Sequence, residues 1–217
     1  MGKLIDWFLD LLYPTKCIVC RRRMQPGIPT ICPVCRETLP FADNVRTRGK
    51  YIDGCVSAVH YEGNVREAIL RFKFGDAQIY HIAFGELVAE RIYEDLFGEF
   101  DILSWVPLAP DRKKERGYDQ VELIARNVSE RLRLPLVPLL KKRRGVSAQS
   151  LTSSPAERRV NIAGAYRVIR PELVKGQRIL LIDDVVTTGA TLSECAKTLR
   201  EAGAAKVFCA TLAAASQ

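Results

Sequence analysis

Residues 179–191 read Ile-Leu-Leu-Ile-Asp-Asp-Val-Val-Thr-Thr-Gly-Ala-Thr, and no other stretch constrains the fold as tightly. An apolar strand ends in two adjacent acids, turns through Thr and Gly, and enters a helix. That helix is expected from about Thr191 to Ala202, with Gly203 as its stop, and leads to another strand at 206–212. Strand, helix, strand in succession needs a crossover, so this part of the chain predicts a parallel sheet with flanking helices. Upstream the same texture repeats. Tyr51–Tyr61 and Asp101–Val106 read as strands, as do 134–140, 164–169 and 178–186. Asn64-Val-Arg-Glu67 resembles a capping box opening a helix that carries Val65, Ile69 and Phe72 and ends at Gly75. Residues 77–97 read as helix, and Val121, Ile124, Ala125, Val128 and Leu132 share one helical face.

The chain has 217 residues, 47% hydrophobic and 27% charged, which allows one sizeable domain with a small appendage and is too apolar for disorder. No apolar run approaches the ~18 residues that would cross a bilayer, so no membrane insertion is expected. At the N-terminus Asp6 and Asp10 interrupt the apolar stretch that a signal peptide needs, so residues 1–14 read as an amphipathic helix of a cytoplasmic protein. The net charge of +8 is uneven: residues 111–160 hold 13 Lys/Arg against 6 Asp/Glu and so carry +7 of it. Such concentration points to an anionic partner, nucleic-acid backbone or polyphosphate, or else to a solvated loop.

Cys17-Ile-Val-Cys20 and Cys32-Pro-Val-Cys35 form two Cys-x-x-Cys pairs in a Pro-, Gly- and Arg-rich segment too poor in large apolar side chains for a core of its own. Four thiolates suit one structural Zn²⁺; redox chemistry of the pairs, or iron on the same ligands, are the alternatives. With eleven residues between the pairs the connecting hairpin must be tight, with Gly27 near its tip. A catalytic zinc is not expected, because four Cys ligands leave no open position for water. Cys55, Cys195 and Cys209 read as small buried hydrophobes.

In open α/β sheets ligands bind beyond the carboxyl ends of the strands, which directs attention to the turns after Val106 and Val186. The backbone N–H groups of Thr187, Thr188, Gly189, Ala190 and Thr191, at a helix N-terminus, form a cup for a monophosphate. Asp183 and Asp184, just upstream, can accept hydrogen bonds from two ribose hydroxyls. A plain capped helix with the acids in its turn is the bland alternative, disfavoured by the cost of paired acids at a buried strand end. A Walker-B-like strand is another, but neither G-x-x-x-x-G-K-[ST] nor G-x-G-x-x-G is present.

The 179–191 stretch resembles the 5-phosphoribosyl-1-pyrophosphate (PRPP) signature of type I phosphoribosyltransferases. Val106-Pro107, Arg116-Gly-Tyr-Asp-Gln120, Gln149 to Asn161 with Arg158, His60-Tyr61-Glu62-Gly63 through Lys73-Phe-Gly75 and the four-Cys N-terminus resemble the ComF family, over nearly the whole chain. The resemblance implies a type I phosphoribosyltransferase-like domain at 51–217 behind a zinc-ribbon-like module at 1–50. It also implies a phosphoribosyltransferase that uses PRPP with Mg²⁺, an unidentified acceptor, and a part in DNA uptake during transformation. Asp183 and Asp184 would be the catalytic acids, and Lys73, Leu108, Ala109, Arg112 and Arg116 would face the leaving pyrophosphate. Where the family commonly has Asn this chain has Asp119, which loses an amide donor. The basic stretch 141–159 keeps a different class of function open, a non-catalytic PRPP sensor or a helper that binds single-stranded DNA beside a competence helicase.

Overall fold

The computed structural model describes residues 14–27, 30–42, 49–75, 77–143 and 162–215. The expected helix at 1–14 and the family-like stretch from Gln149 to Asn161 thus lie outside the described residues, Pro14 apart.

In chain order the elements are α1 (Pro33–Glu37), β1 (Gly54–His60), α2 (Gly63–Phe74), a 3₁₀ turn at Gln78–Tyr80, α3 (His81–Asp95), β2 (Ile102–Trp105), α4 (Pro110–Arg116), α5 (Gln120–Leu132), β3 (Leu140–Lys142), β4 (Tyr166–Val168), a 3₁₀ turn at Pro171–Leu173, β5 (Arg178–Val186), α6 (Ala190–Glu201) and β6 (Lys206–Ala214). Four strands form a parallel sheet in the order β1-β6-β5-β2. Its two long central strands carry apolar side chains on both faces, as a sheet covered on both sides demands. Leu180 and Ile182 of β5 join Phe208 and Ala210 of β6 in a core built with α2, α3 and α5. Ile179 and Leu181, with Val207 and Cys209, pack instead on Leu192, Cys195 and Leu199 of α6. Cys195 and Cys209 are buried there, and Cys55 lies opposite Cys209 in the β1–β6 register.

Two local expectations are corrected. The capping box at Asn64 does not form: α2 begins at Gly63, and Glu62 is its N-cap without a side-chain hydrogen bond. Gly63 takes φ +47, so the chain enters the helix through a glycine turn rather than through an Asn cap. The run 134–140 is no strand of the parallel sheet. It holds Pro135 and Pro138, which cannot donate to a ladder, and only Leu136 bridges to Leu103. The strand proper is Leu140–Lys142, antiparallel to Tyr166–Val168 in a separate two-stranded ribbon.

Candidate functional site

Parallel packing of β2 on β5 brings the chain leaving β2 beside the acids of β5, and the N–H of Val106 donates to the carbonyl of Ile182 at 2.9 Å. Both acids are buried. The Asp184 N–H donates to Asp183 Oδ1 at 2.8 Å. Lys73, in the last turn of α2, holds its Nζ 2.9 Å from Asp184 Oδ2, and Gln120, the first residue of α5, donates Nε2 to the same oxygen at 2.9 Å. These partners separate the two carboxyls. Burial raises both pKa values, but at Asp184 the Lys73 ammonium and the Gln120 amide outweigh it and hold the group below the usual carboxylate range. At Asp183 burial and the neighbouring Asp184 charge prevail, so its carboxyl stays well above that range.

The acids sit in a cleft of about 570 Å³ whose lining includes Lys73, Phe74, Leu108, Ala109, Arg112, Arg116, Gln120, Lys142, Arg143, Tyr166 and Thr191. All five residues expected on the pyrophosphate side are therefore gathered on one cleft with the acids. The phosphate-cup candidates Thr187, Thr188, Gly189 and Ala190 follow β5 directly, with only Thr191 of that loop in the lining. Gly189 takes φ +70 as the N-cap of α6, which L side chains rarely adopt. It brings no side-chain acceptor, so the first-turn N–H groups of α6 beyond Ala190 stay available to an anion. The Thr188 hydroxyl accepts from the Ala190 N–H at 3.4 Å.

Asp119 serves a purpose that the missing amide obscured. Its Oδ1 accepts from the N–H groups of Val121 (3.1 Å) and Glu122 (3.2 Å), capping α5, while Oδ2 accepts from Leu108 N–H at 3.0 Å. One carboxylate thus ties the 107–110 turn to the helix that carries Gln120. An Asn could keep the cap but would turn an amide N–H toward the Leu108 donor. Asp119→Ala should cost about 1–2 kcal/mol in denaturant unfolding, with Asp119→Asn between it and the wild type; equal stability of all three would remove the tether. Gln120 and Tyr166 were not singled out as site residues from sequence, and Lys142 and Arg143 were read only as part of the basic stretch 141–159. Gln120 was visible only inside the Arg116–Gln120 motif, and the other three reach the cleft through the β3–β4 ribbon, whose pairing spans a long sequence gap. Lys142 lies over the Tyr166 ring, 5.6 Å from its centroid, and burial lowers its pKa.

The four cysteines of the N-terminal module also come together. All four Sγ atoms lie within 4.8 Å of one another, and Cys20 Sγ is 3.8 Å from Cys32 Sγ. A tetrahedron with Zn–S bonds of about 2.3 Å has edges near 3.8 Å, so the set fits Zn²⁺. Burial raises the Cys17 thiol, yet the N–H groups of Cys32, Cys20 and Val19 and the Cys20 thiol outweigh it and bring its pKa to about 7. At Cys35 burial and the three neighbouring thiols push it up, as expected where several sulfurs share a site that a cation would neutralise. The first pair sits in a turn closed by the Lys16–Arg23 bridge, and the second opens α1. Ile18 and Val19 pack into the same core as α2 and α3, and Arg71 Nη2 donates to the Ile18 carbonyl at 2.8 Å.

Comparison with known proteins agrees with both parts. A family profile described as "Phosphoribosyl transferase domain" matches residues 120–217, and one described as "Double zinc ribbon domain" matches 8–46, where the four cysteines make one cluster. The chain is similar to "Competence protein ComFC" of Bacillus subtilis (strain 168), 29% identical over 91% of this chain and 83% of that protein. It is 30% identical to "Competence protein ComFC" of Streptococcus pneumoniae, over 87% of this chain and 77% of that one. With "DNA utilization protein YhgH" of Salmonella typhimurium it shares 28% identity over 90% of each chain. Among the described residues no helix is long and apolar enough to cross a membrane. A four-cysteine zinc ribbon joined to a phosphoribosyltransferase-type α/β fold, matched at this identity along most of both chains, makes this protein a member of the ComF family of competence proteins.

Proposed function

We propose that the cleft binds PRPP and that the chain transfers its phosphoribosyl group to a nitrogen acceptor, in the service of DNA uptake. The observation that carries this reading is the Asp183–Asp184 pair at the end of β5, with Lys73 and Gln120 on one oxygen and the Thr187–Thr191 loop directly downstream. In it the acids take the ribose hydroxyls and the loop takes the 5′-phosphate. Lys73, Arg112 and Arg116 meet the pyrophosphate beside the Leu108–Ala109 turn, joined by Lys142 and Arg143. The acceptor's nitrogen lone pair forms the bond to C1, the C1–O electrons leave with pyrophosphate, and the acceptor's N–H proton passes to water. The protein's contribution is positional and electrostatic. Mg²⁺ bound with PRPP would supply further neutralisation of the pyrophosphate charge, and the buried carboxylate oxygens at Asp183 and Asp184 suit such a hard cation. The names of the relatives support the role in DNA uptake.

The test is PRPP consumption with pyrophosphate release by the pure protein, across acceptors that include free bases and single-stranded DNA. PRPP binding without turnover on any acceptor would favour a sensor.

One observation bears on the basic stretch, whose described part is Lys141, Lys142 and Arg143. Lys142 and Arg143 line the cleft, whereas Lys141 is exposed and outside its lining. The double variant Lys142→Ala, Arg143→Ala should weaken PRPP binding about 10- to 100-fold by calorimetry, as loss of charged contacts does, while Lys141→Ala leaves it unchanged. If the double variant keeps PRPP and loses single-stranded DNA instead, the stretch belongs to a nucleic-acid surface.

A further inference from the structure

We propose that Phe74 and Arg116 form a stacking platform in the cleft wall that takes one planar heterocyclic base. The proposal rests on the PRPP reading only where it gives that base the role of acceptor.

The last turn of α2 directs three consecutive side chains to three environments. Phe72 is fully buried in the core, Lys73 reaches Asp184, and Phe74 is 66% exposed. A single exposed Phe is ordinary on a protein surface and by itself carries nothing. This ring, however, lies in the wall of the cleft that holds the acids. It is also held in place: the Arg116 guanidinium carbon stands 4.6 Å from the ring centroid, inside the ~6 Å of a cation–π contact. Arg116 forms no ion pair with a carboxylate among the described residues, and its buried Nε has no hydrogen-bond partner there. The ring, not an acid, is thus the partner that orients the guanidinium. A ring covered by a cation on one side and largely open to solvent otherwise suits a flat partner on its free face. Bases meet this requirement whatever their sequence, because each has a π face, whereas an aliphatic amine has none. Tyr166, the other ring of the cleft, is buried and offers no such face.

A free base and a base within a single strand bring the same face, so the experiment separates them. The full chain is titrated by calorimetry with adenine, with a deoxyadenosine pentanucleotide, and with an abasic pentanucleotide of equal phosphate count, each with and without PRPP and Mg²⁺. Phe74→Leu, which keeps apolar bulk, should weaken the base-bearing probes about 5- to 150-fold, and Phe74→Trp should restore them. The abasic strand should respond to neither change. Adenine binding alone assigns the platform to a free base, and pentanucleotide binding alone assigns it to a strand. Base affinity within about twofold of wild type in folded Phe74→Leu overturns the platform, as does an abasic strand that binds as tightly as the pentanucleotide where adenine does not bind. Binding of PRPP with no affinity for either base-bearing probe overturns it too. A chain that binds the bases but has no affinity for PRPP removes the phosphoribosyl reading and leaves the platform standing.

Discussion

Cys17→Ser or Cys35→Ser should strip the chain of its zinc and melt the N-terminal module, the largest stability effect expected for this protein. A structural Zn²⁺ supplies on the order of 10 kcal/mol to a segment with no sufficient core of its own, and three remaining thiols cannot replace the fourth. The damage should spread in one direction. Cys17, Ile18 and Val19 pack on the α2–α3 side of the sheet, and Arg71 holds the Ile18 carbonyl. Release of the knuckle therefore uncovers that face and frees Arg71, with a lowered melting temperature for what remains. The opposite core, where Ile179, Leu181 and Cys209 meet α6, makes no contribution to the module and should keep its helix and sheet signal. Elemental analysis should give one zinc per wild-type chain and none in the variants, with rapid proteolysis confined to the N-terminal segment. Iron in the wild type, or four titratable thiols with unchanged stability, would refute the assignment.

What could be read from sequence follows the range of the forces involved. The β5–α6 unit was legible because one segment holds its apolar strand, its acids, its glycine turn and its helix, and the structure departs by a residue or so at the ends. The two Cys pairs were legible for a similar reason, since ligand spacing is local. The run 134–140 misled because Leu-Pro-Leu-Val-Pro-Leu-Leu is apolar enough for a strand while its prolines deny it a ladder; the strand begins only at its last residue, Leu140, where Tyr166–Val168, far along the chain, supplies the partner. Lys73 enters from sequence only through the family resemblance, for nothing in α2 says that its last turn faces β5, and the ion pair with Asp184 is a product of tertiary packing. Asp119 is different. Its position just before an amphipathic helix is an N-cap signal, and the comparison with the usual Asn drew attention to the donor lost rather than to the second acceptor gained.

In the double variant Asp183→Ala, Asp184→Ala, Mg²⁺-dependent PRPP binding should fall by at least about 100-fold, the loss expected when two carboxylates that accept hydrogen bonds from a ligand are removed. Alanine at 184 leaves the half-buried Lys73 ammonium and the Gln120 amide without charge or acceptor, so Asp183→Asn, Asp184→Asn, which loses the charge but keeps the shape and an acceptor oxygen, is needed beside it to separate binding from folding. Thr188→Val should weaken PRPP less than either, because the backbone donors of the loop survive it. The ion pair gives an independent reading through pH. Lys73 and Gln120 hold Asp184 below the ordinary carboxylate pKa, so its contribution to stability is present above that value and is lost as pH falls through the folded one. Lys73→Met removes the strongest of the influences that oppose burial at Asp184 and leaves only hydrogen bonds against it. The stability gap between wild type and this variant should therefore be widest near neutral pH and close as the solution is acidified through the carboxylate range. If the gap behaves so while the folded Asn double variant binds PRPP as well as wild type, the Lys73–Asp184 pair is a structural ion pair and the ribose-reading role of the acids is withdrawn.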